Sequence, residues 1–186
     1  MRNTDYFPAS HYPPAETVEP YLKMAQPYSV GVLGERIIDE YIYVEPEGRS
    51  AKEAYVTWRT DGRERFPGGT DAIEAHLRQI TAKARNLSAD CPALVKTRYV
   101  EKAFMRKVFS LVDWYDVSPM PPRVMPLVDL LVVADYGHGY IRRQEADWIG
   151  HHHQSAALSD QANSLNWGLN TVRKWSRCWY LVLDRK

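Results

Sequence analysis

An excess of charge of either sign is missing from this sequence. Its 24 lysines and arginines stand against 23 acidic residues, a formal net charge of +1 over 186 residues. Nucleic-acid and anionic-membrane surfaces select a basic footprint that this balance does not show. The expectation is therefore no nucleic-acid partner and no membrane partner. Long apolar runs are missing too: none approaches the roughly 18–20 residues that span a bilayer. The opening stretch MRNTDYFPASHYPPAETVEP has no continuous apolar segment of the signal-peptide kind, so a cytoplasmic location is expected. Cysteine is scarce. Cys91 and Cys178 have neither metal-ligand spacing nor the number a disulfide framework needs, and they read as free thiols.

What is present is 45% hydrophobic and 25% charged, the profile of one globular domain with a core. Twelve prolines and a 12% aromatic content with six tryptophans are notable, and several prolines and tyrosines crowd the first 28 residues, as in YFPASHYPP and AQPYS. Residues 1–28 are read as an extended leader without its own core, and residues 29–186 as the domain.

Along that domain, Ser29–Leu33 is an apolar run ending at Gly34 and is expected to be a buried strand. Tyr41–Val44 and Ala54–Trp58, separated by the polar EPEGRSAKE, predict a small antiparallel ribbon. FPGGTDAIEAHLRQI predicts a loop, a glycine pair and a helix, with Asp71 as N-cap and Glu74 three residues on. ALVKTRYVE and RKVFSLVDWY alternate apolar and polar residues and are read as strands. DLLVVADYGHG is the clearest core strand: Leu130 to Ala134 are apolar, then come Asp135 and two glycines. A helix over RRQEADWIG, a loop, a short helix near GLNTVRKW and a last strand WYLVLD complete the pattern. Alternation of β and α predicts the α/β class.

The glycines of GVLGER make no dinucleotide fingerprint, since a third glycine and an immediate helix are lacking, and no Walker A lysine follows. They mark either a structural bend or a close approach to a ligand. PGGTDAIEAHL opens a helix whose N–H groups suit an anionic or hydroxyl-rich ligand, or is simply a tight turn. ADYGHG places a carboxylate, a hydroxyl and an imidazole beyond a buried strand, where α/β sheets hold ligand groups; the plainer reading is a helix N-cap at Asp135. His151 to His153, with Gln154, lack a flanking cysteine or carboxylate at ligand spacing. On an extended segment they would point in alternating directions, so no metal site is expected. No Gly-x-Ser-x-Gly elbow or Cys/His pair supports a hydrolase.

In this order the motifs resemble a known family. GERIIDEYIY, EGRSAKEAYV and FPGGTDAIEAHL, followed by VKTRYVE, RKVFSLVDW, DLLVVADYGHGYI and SDQANSLNWGLNTVRKW, resemble a ribokinase-like (PfkB family) carbohydrate kinase. The nearest branch is the one acting on heptose phosphates in ADP-heptose synthesis. The similarity runs from about Val30 to Asp184. It implies a ribokinase-like sheet with a small β lid over about residues 41–66, and ATP-dependent phosphorylation of a sugar or sugar phosphate with Mg2+. It assigns Asp39, Gly68 and Gly69 to the sugar and Asp135 to the sugar or its phosphate. Asn163, Asn166 and Asn170 fall on the nucleotide side. A homodimer through the lid is implied as well.

The departures from the pattern shape the expectation. Ala72 stands where many relatives carry asparagine. The connections between Ile80 and Val95, and across SPMPPRVMPLVDLLVV, are short for the family and leave part of the sheet less covered. The Gly-x-Gly-Asp segment that supplies the base and the anion hole has no counterpart among the 186 residues. The sheet is therefore expected to be incomplete at its C-terminal, nucleotide-binding end, and no catalytic residue is assigned. Phosphoryl transfer depends on positioning and electrostatic stabilisation of the moving group, so this chain alone is expected to be inactive unless a complementing kinase half joins it. The alternative is a non-catalytic sugar-phosphate-binding or protein-interaction module.

Overall fold

A computed structural model describes residues 14–112, 120, 126–153, 155–162, 174–176 and 180–185. Two sheets organise the chain. The first has five parallel strands: β1 (Val30–Gly34), β4 (Ala84–Asn86), β7 (Leu130–Asp135), β8 (Ala156–Ala162) and β9 (Tyr180–Arg185), in the order β4-β1-β7-β8-β9. The second has four: β2 (Arg36–Arg49), β3 (Val56–Gly69), β5 (Leu94–Glu101) and β6 (Arg106–Val112), in the order β3-β2-β5-β6. Here β2 runs antiparallel to β3 and parallel to β5, and β6 is antiparallel to β5. Helices α1 (Ala15–Ala25), α2 (Thr70–Leu77) and α3 (Arg143–His152) complete the described elements. The expected α/β class and a small sheet beside a parallel core are what is observed.

Strands β1 and β7 are continuous apolar runs: β1 is buried along its whole length, while on β7 Leu131 and Val133 to Asp135 are buried and Leu130 and Val132 are half-buried. Val32, Leu33, Leu131 and Val133 are wholly enclosed, and Ile141, Ala146 and Ile149 of the following turn and helix close over them with Leu158 and Trp175. The register sets Leu33 beside Val133 and Gly34 beside Ala134. Both strands therefore end at one level, where the candidate site begins.

The structure departs from the sequence expectations in several places. The stretch expected to be an extended leader contains α1, because Pro14 precedes the helix, where a missing N–H costs nothing, and a Glu19–Lys23 pair (2.8 Å) supports the turn around Pro20. The lid is larger than a two-stranded ribbon over 41–66, since β5 and β6 join it. Asp71 does not cap α2. Gly69 holds the N-cap position, and the Asp71 carboxylate instead takes the Arg36 guanidinium (3.0 Å) and the Asn86 amide (2.6 Å). The histidine run is helical at its start: His151 and His152 form the last turn of α3, with Nδ1 atoms 2.6 and 2.8 Å from the carbonyl oxygens of Asp147 and Trp148. The segment read as a loop after the histidines forms β8, whose Ala156 and Leu158 enter the core while pairing with β7 and β9 supplies its strand geometry. The short helix expected near GLNTVRKW lies largely outside the described residues. No described helix is long and apolar enough to cross a membrane.

Candidate functional site

The two sheets meet where β1 passes into β2. Gly34 sits at φ 144°, its N–H donates to Ser88 Oγ (3.0 Å), and the next N–H, of Glu35, donates to the Ala134 carbonyl (3.2 Å). Glu35 is the hub of the junction. Its carbonyl accepts the Thr70 N–H at the start of α2 (3.0 Å). Its buried carboxylate accepts the Tyr136 N–H (3.2 Å) and the His138 N–H (2.8 Å) and lies 2.6 Å from His138 Nδ1. One carboxylate thus clamps the turn after β7 to the hinge of the lid. A buried charge is tolerated there because three polar hydrogens converge on it.

Two strands of the lid bring the predicted sugar residues together. Ile37 pairs with Gly68 and Arg36 with Gly69. A methyl group on Gly68 would lie 2.8 Å from Asp39 Oδ2, and one on Gly69 would lie 2.1 Å from the Glu35 carbonyl oxygen. Gly68 therefore lies bare beside the Asp39 carboxylate, while Gly69 is packed against the Glu35 backbone. Asp39 is half-buried and ion-paired with Arg98 of β5, whose guanidinium sits 5.3 Å above the Tyr41 ring. Tyr41 meets Phe66 edge to face at 5.9 Å. Gly68, Asp39, Arg98, Tyr41 and Phe66 occupy one face of the lid sheet, as the register requires.

Tyr136 connects this face to the strand ends. Burial, followed by the negative charges of Glu35 and Asp39, raises its phenol above the usual tyrosine range. The hydroxyl stays protonated at neutral pH. Asp135 is fully buried at the end of β7, where Oδ1 accepts the Gly137 N–H (3.3 Å) and the carboxylate is ion-paired with buried Lys174. Lys174 Nζ also donates to the Ile141 carbonyl (2.8 Å). The N-cap reading of Asp135 does not hold, since the next helix begins eight residues later at Arg143.

Of the residues singled out in sequence, Asp39, Gly68 and Gly69 stand together, and Asp135 stands below them, enclosed by the β7 turn and Lys174. Asn163, Asn166 and Asn170 lie outside the described residues. Glu35, Arg98 and Lys174 were not assigned from sequence. For Glu35 the available signal was a lone carboxylate directly after a fully apolar strand. Lys174 carried none, because only the fold brings it to Asp135. Among the described residues no group of three histidine, cysteine or acidic side chains is arranged to hold a metal ion. ATP and Mg2+ therefore enter only as what the motif resemblance implies.

No protein-family model and no curated protein matches the chain. Solved structures do resemble it. A carbohydrate kinase from Agrobacterium tumefaciens matches at 16% identity and TM-score 0.43, over 73% of this chain and 53% of that one. The ribokinase from Thermotoga maritima matches at 12% identity and TM-score 0.38, over 71% and 52%. A nucleoside kinase from Methanocaldococcus jannaschii, described as an archaeal member of the ribokinase family, matches at 10% identity and TM-score 0.42, over 74% and 53%. This mixed α/β chain is thus similar to carbohydrate and nucleoside kinases at low identity, spanning about half the length of each.

Proposed function

We propose that this chain binds a sugar or sugar phosphate, of the heptose-phosphate kind, between the lid sheet and the ends of β1 and β7. The observation that carries the reading is the placement of the Asp39 carboxylate against the bare backbone of Gly68, on the face that also presents Tyr41 and Phe66. Carboxylates accept hydrogen bonds from vicinal hydroxyls, a glycine surface admits close approach, and aromatic rings cover the apolar face of a sugar. The resemblance in motif order adds the reaction: an ATP- and Mg2+-dependent carbohydrate kinase, in which Asp39, Gly68 and Gly69 hold the sugar. The 186 residues contain no Gly-x-Gly-Asp segment; the nearest pattern, Gly137-His138-Gly139-Tyr140, ends in a phenol. The purified chain is accordingly read as binding sugar without transferring phosphate. Activity would require a complementing kinase half.

A partner has a place to dock. Strand β6 is one of the two edges of the lid sheet among the described residues, with Val108, Phe109 and Leu111 all exposed. Such an edge pairs readily with another chain, a second copy or the complementing half. The second reading, a binding or interaction module without catalysis, is favoured by that same edge.

Thermal unfolding tests the binding. With sedoheptulose 7-phosphate at a hundred times its Kd, mass action adds about 2.7 kcal/mol, which raises the midpoint by about 5–10 °C for a domain of this size. Mg-ATP alone is expected to leave it unchanged. No shift with any sugar or sugar phosphate would overturn the binding reading, and ATP-dependent phosphorylation by the purified chain would overturn the inactivity. Gly68→Ala provides an internal check. Its methyl group meets the movable end of Asp39 rather than backbone, so the variant should fold with a near-native midpoint and lose most of the sugar-induced rise.

A further inference from the structure

We infer that Arg98 selects an anionic sugar, one bearing a phosphate or carboxylate, over its neutral parent. This deepens the reading above and rests on it. Asp39 stands between two features of the same face: Oδ2 is turned to the Gly68 surface, and Oδ1 is paired with Arg98 Nη1. Arg98 is only 30% exposed and is held flat by the Tyr41 ring. Among the described residues, its Nε and Nη2 have no hydrogen-bond partner. A planar guanidinium engaged at one corner keeps its remaining fork for a two-oxygen acceptor, and carboxylate and phosphate fit that fork.

The neighbouring charges agree with one anion and no more. Glu35 is taken up by the Tyr136 and His138 turn. Glu64, on the same face, accepts the Tyr43 hydroxyl (2.9 Å). A ligand with hydroxyls at Asp39 and an anion at Arg98 satisfies both ends of the row, whereas a neutral sugar leaves the guanidinium fork facing water. Arg98 also holds Asp39 in place, so it serves the hydroxyl end as a positioning residue.

Titration calorimetry on the full chain separates the possibilities, using sedoheptulose 7-phosphate, sedoheptulose, glucoheptonate and inorganic phosphate. The expected result is binding of a charged sugar about ten- to a hundredfold tighter than sedoheptulose, with the preference shrinking as salt rises. Preference for the phosphate names a sugar phosphate, preference for glucoheptonate a sugar acid; either supports the inference. Arg98→Met is expected to bring the charged-to-neutral ratio close to one, and Arg98→Lys to keep an intermediate ratio, since it retains charge without the fork. Should Arg98→Met fail to fold, the lysine variant and the salt series carry the decision. Equal binding of charged and neutral sugars overturns the role of Arg98 and leaves the sugar site standing. Inorganic phosphate bound as tightly as the sugar phosphate, or no sugar bound at all, overturns both.

Discussion

Lys174→Met is expected to destabilise the chain by about 3–5 kcal/mol, because it strands the Asp135 carboxylate in the core without its cation. Asp135 has no exposed surface and Lys174 very little. The lysine also donates to the Ile141 carbonyl, and Ile141 is itself enclosed above β7. Losing the ammonium therefore leaves two buried acceptors poorly satisfied, one of them charged. Urea unfolding of the variant measures the loss. The double variant Lys174→Met with Asp135→Asn should recover most of it, since a neutral amide oxygen still accepts the Gly137 N–H and no charge remains to be buried. A loss below about 1 kcal/mol in the single variant would mean that water reaches the pair and that the 174–176 segment does not close the β7 end.

Gly34→Ala is expected to prevent folding. Its methyl group would lie 2.1 Å from the Ala134 carbonyl oxygen and 2.8 and 3.0 Å from that residue's carbonyl carbon and nitrogen. All three are backbone atoms of the central strand and cannot rotate away. Gly48 offers a control, because it has a similar φ of 130° but nothing within 4 Å of a methyl group. Gly48→Ala then isolates backbone strain, about 1–3 kcal/mol, and should yield a folded, less stable protein. Soluble yield and unfolding midpoints of the two variants give the comparison. A folded Gly34→Ala protein with Gly48-like stability would show that β1 and β7 separate at their ends more easily than the register implies.

The two readings of GVLGER, a structural bend or a close approach to a ligand, meet their answer at the junction of the sheets. Gly34 is required by the close approach of two backbones, while Gly68, on the lid, is the glycine that lies against the Asp39 carboxylate. Both readings of a glycine turn were open in the sequence, and nothing local distinguishes them. A neighbouring backbone thirty or a hundred residues away decides which one applies.

Elements whose burial is written into consecutive residues were legible. The apolar runs Leu130–Ala134 and Val30–Gly34 read as core strands of a parallel sheet, so the parallel core followed from hydrophobic pattern. Motif order implied that Asp39, Gly68 and Gly69 belong to one sugar site, and the structure sets the Asp39 carboxylate against Gly68. Where the local pattern was weak or borrowed its stability from elsewhere, the sequence misled. AALSDQA has few strand-forming residues and becomes β8 because β7 and β9 offer ladders on both sides. Asp71, well placed for a cap, is drawn away by Arg36 and Asn86, which reach it only across the junction of the sheets. Glu35 with His138, Asp39 with Arg98, and Asp135 with Lys174 are separated by 103, 59 and 39 residues. Periodicity reports which side of an element meets the core, but charged partners this distant are chosen by register and crossover. The folded chain alone decides which carboxylate stands half-exposed on the lid face and which one is buried holding the fold together.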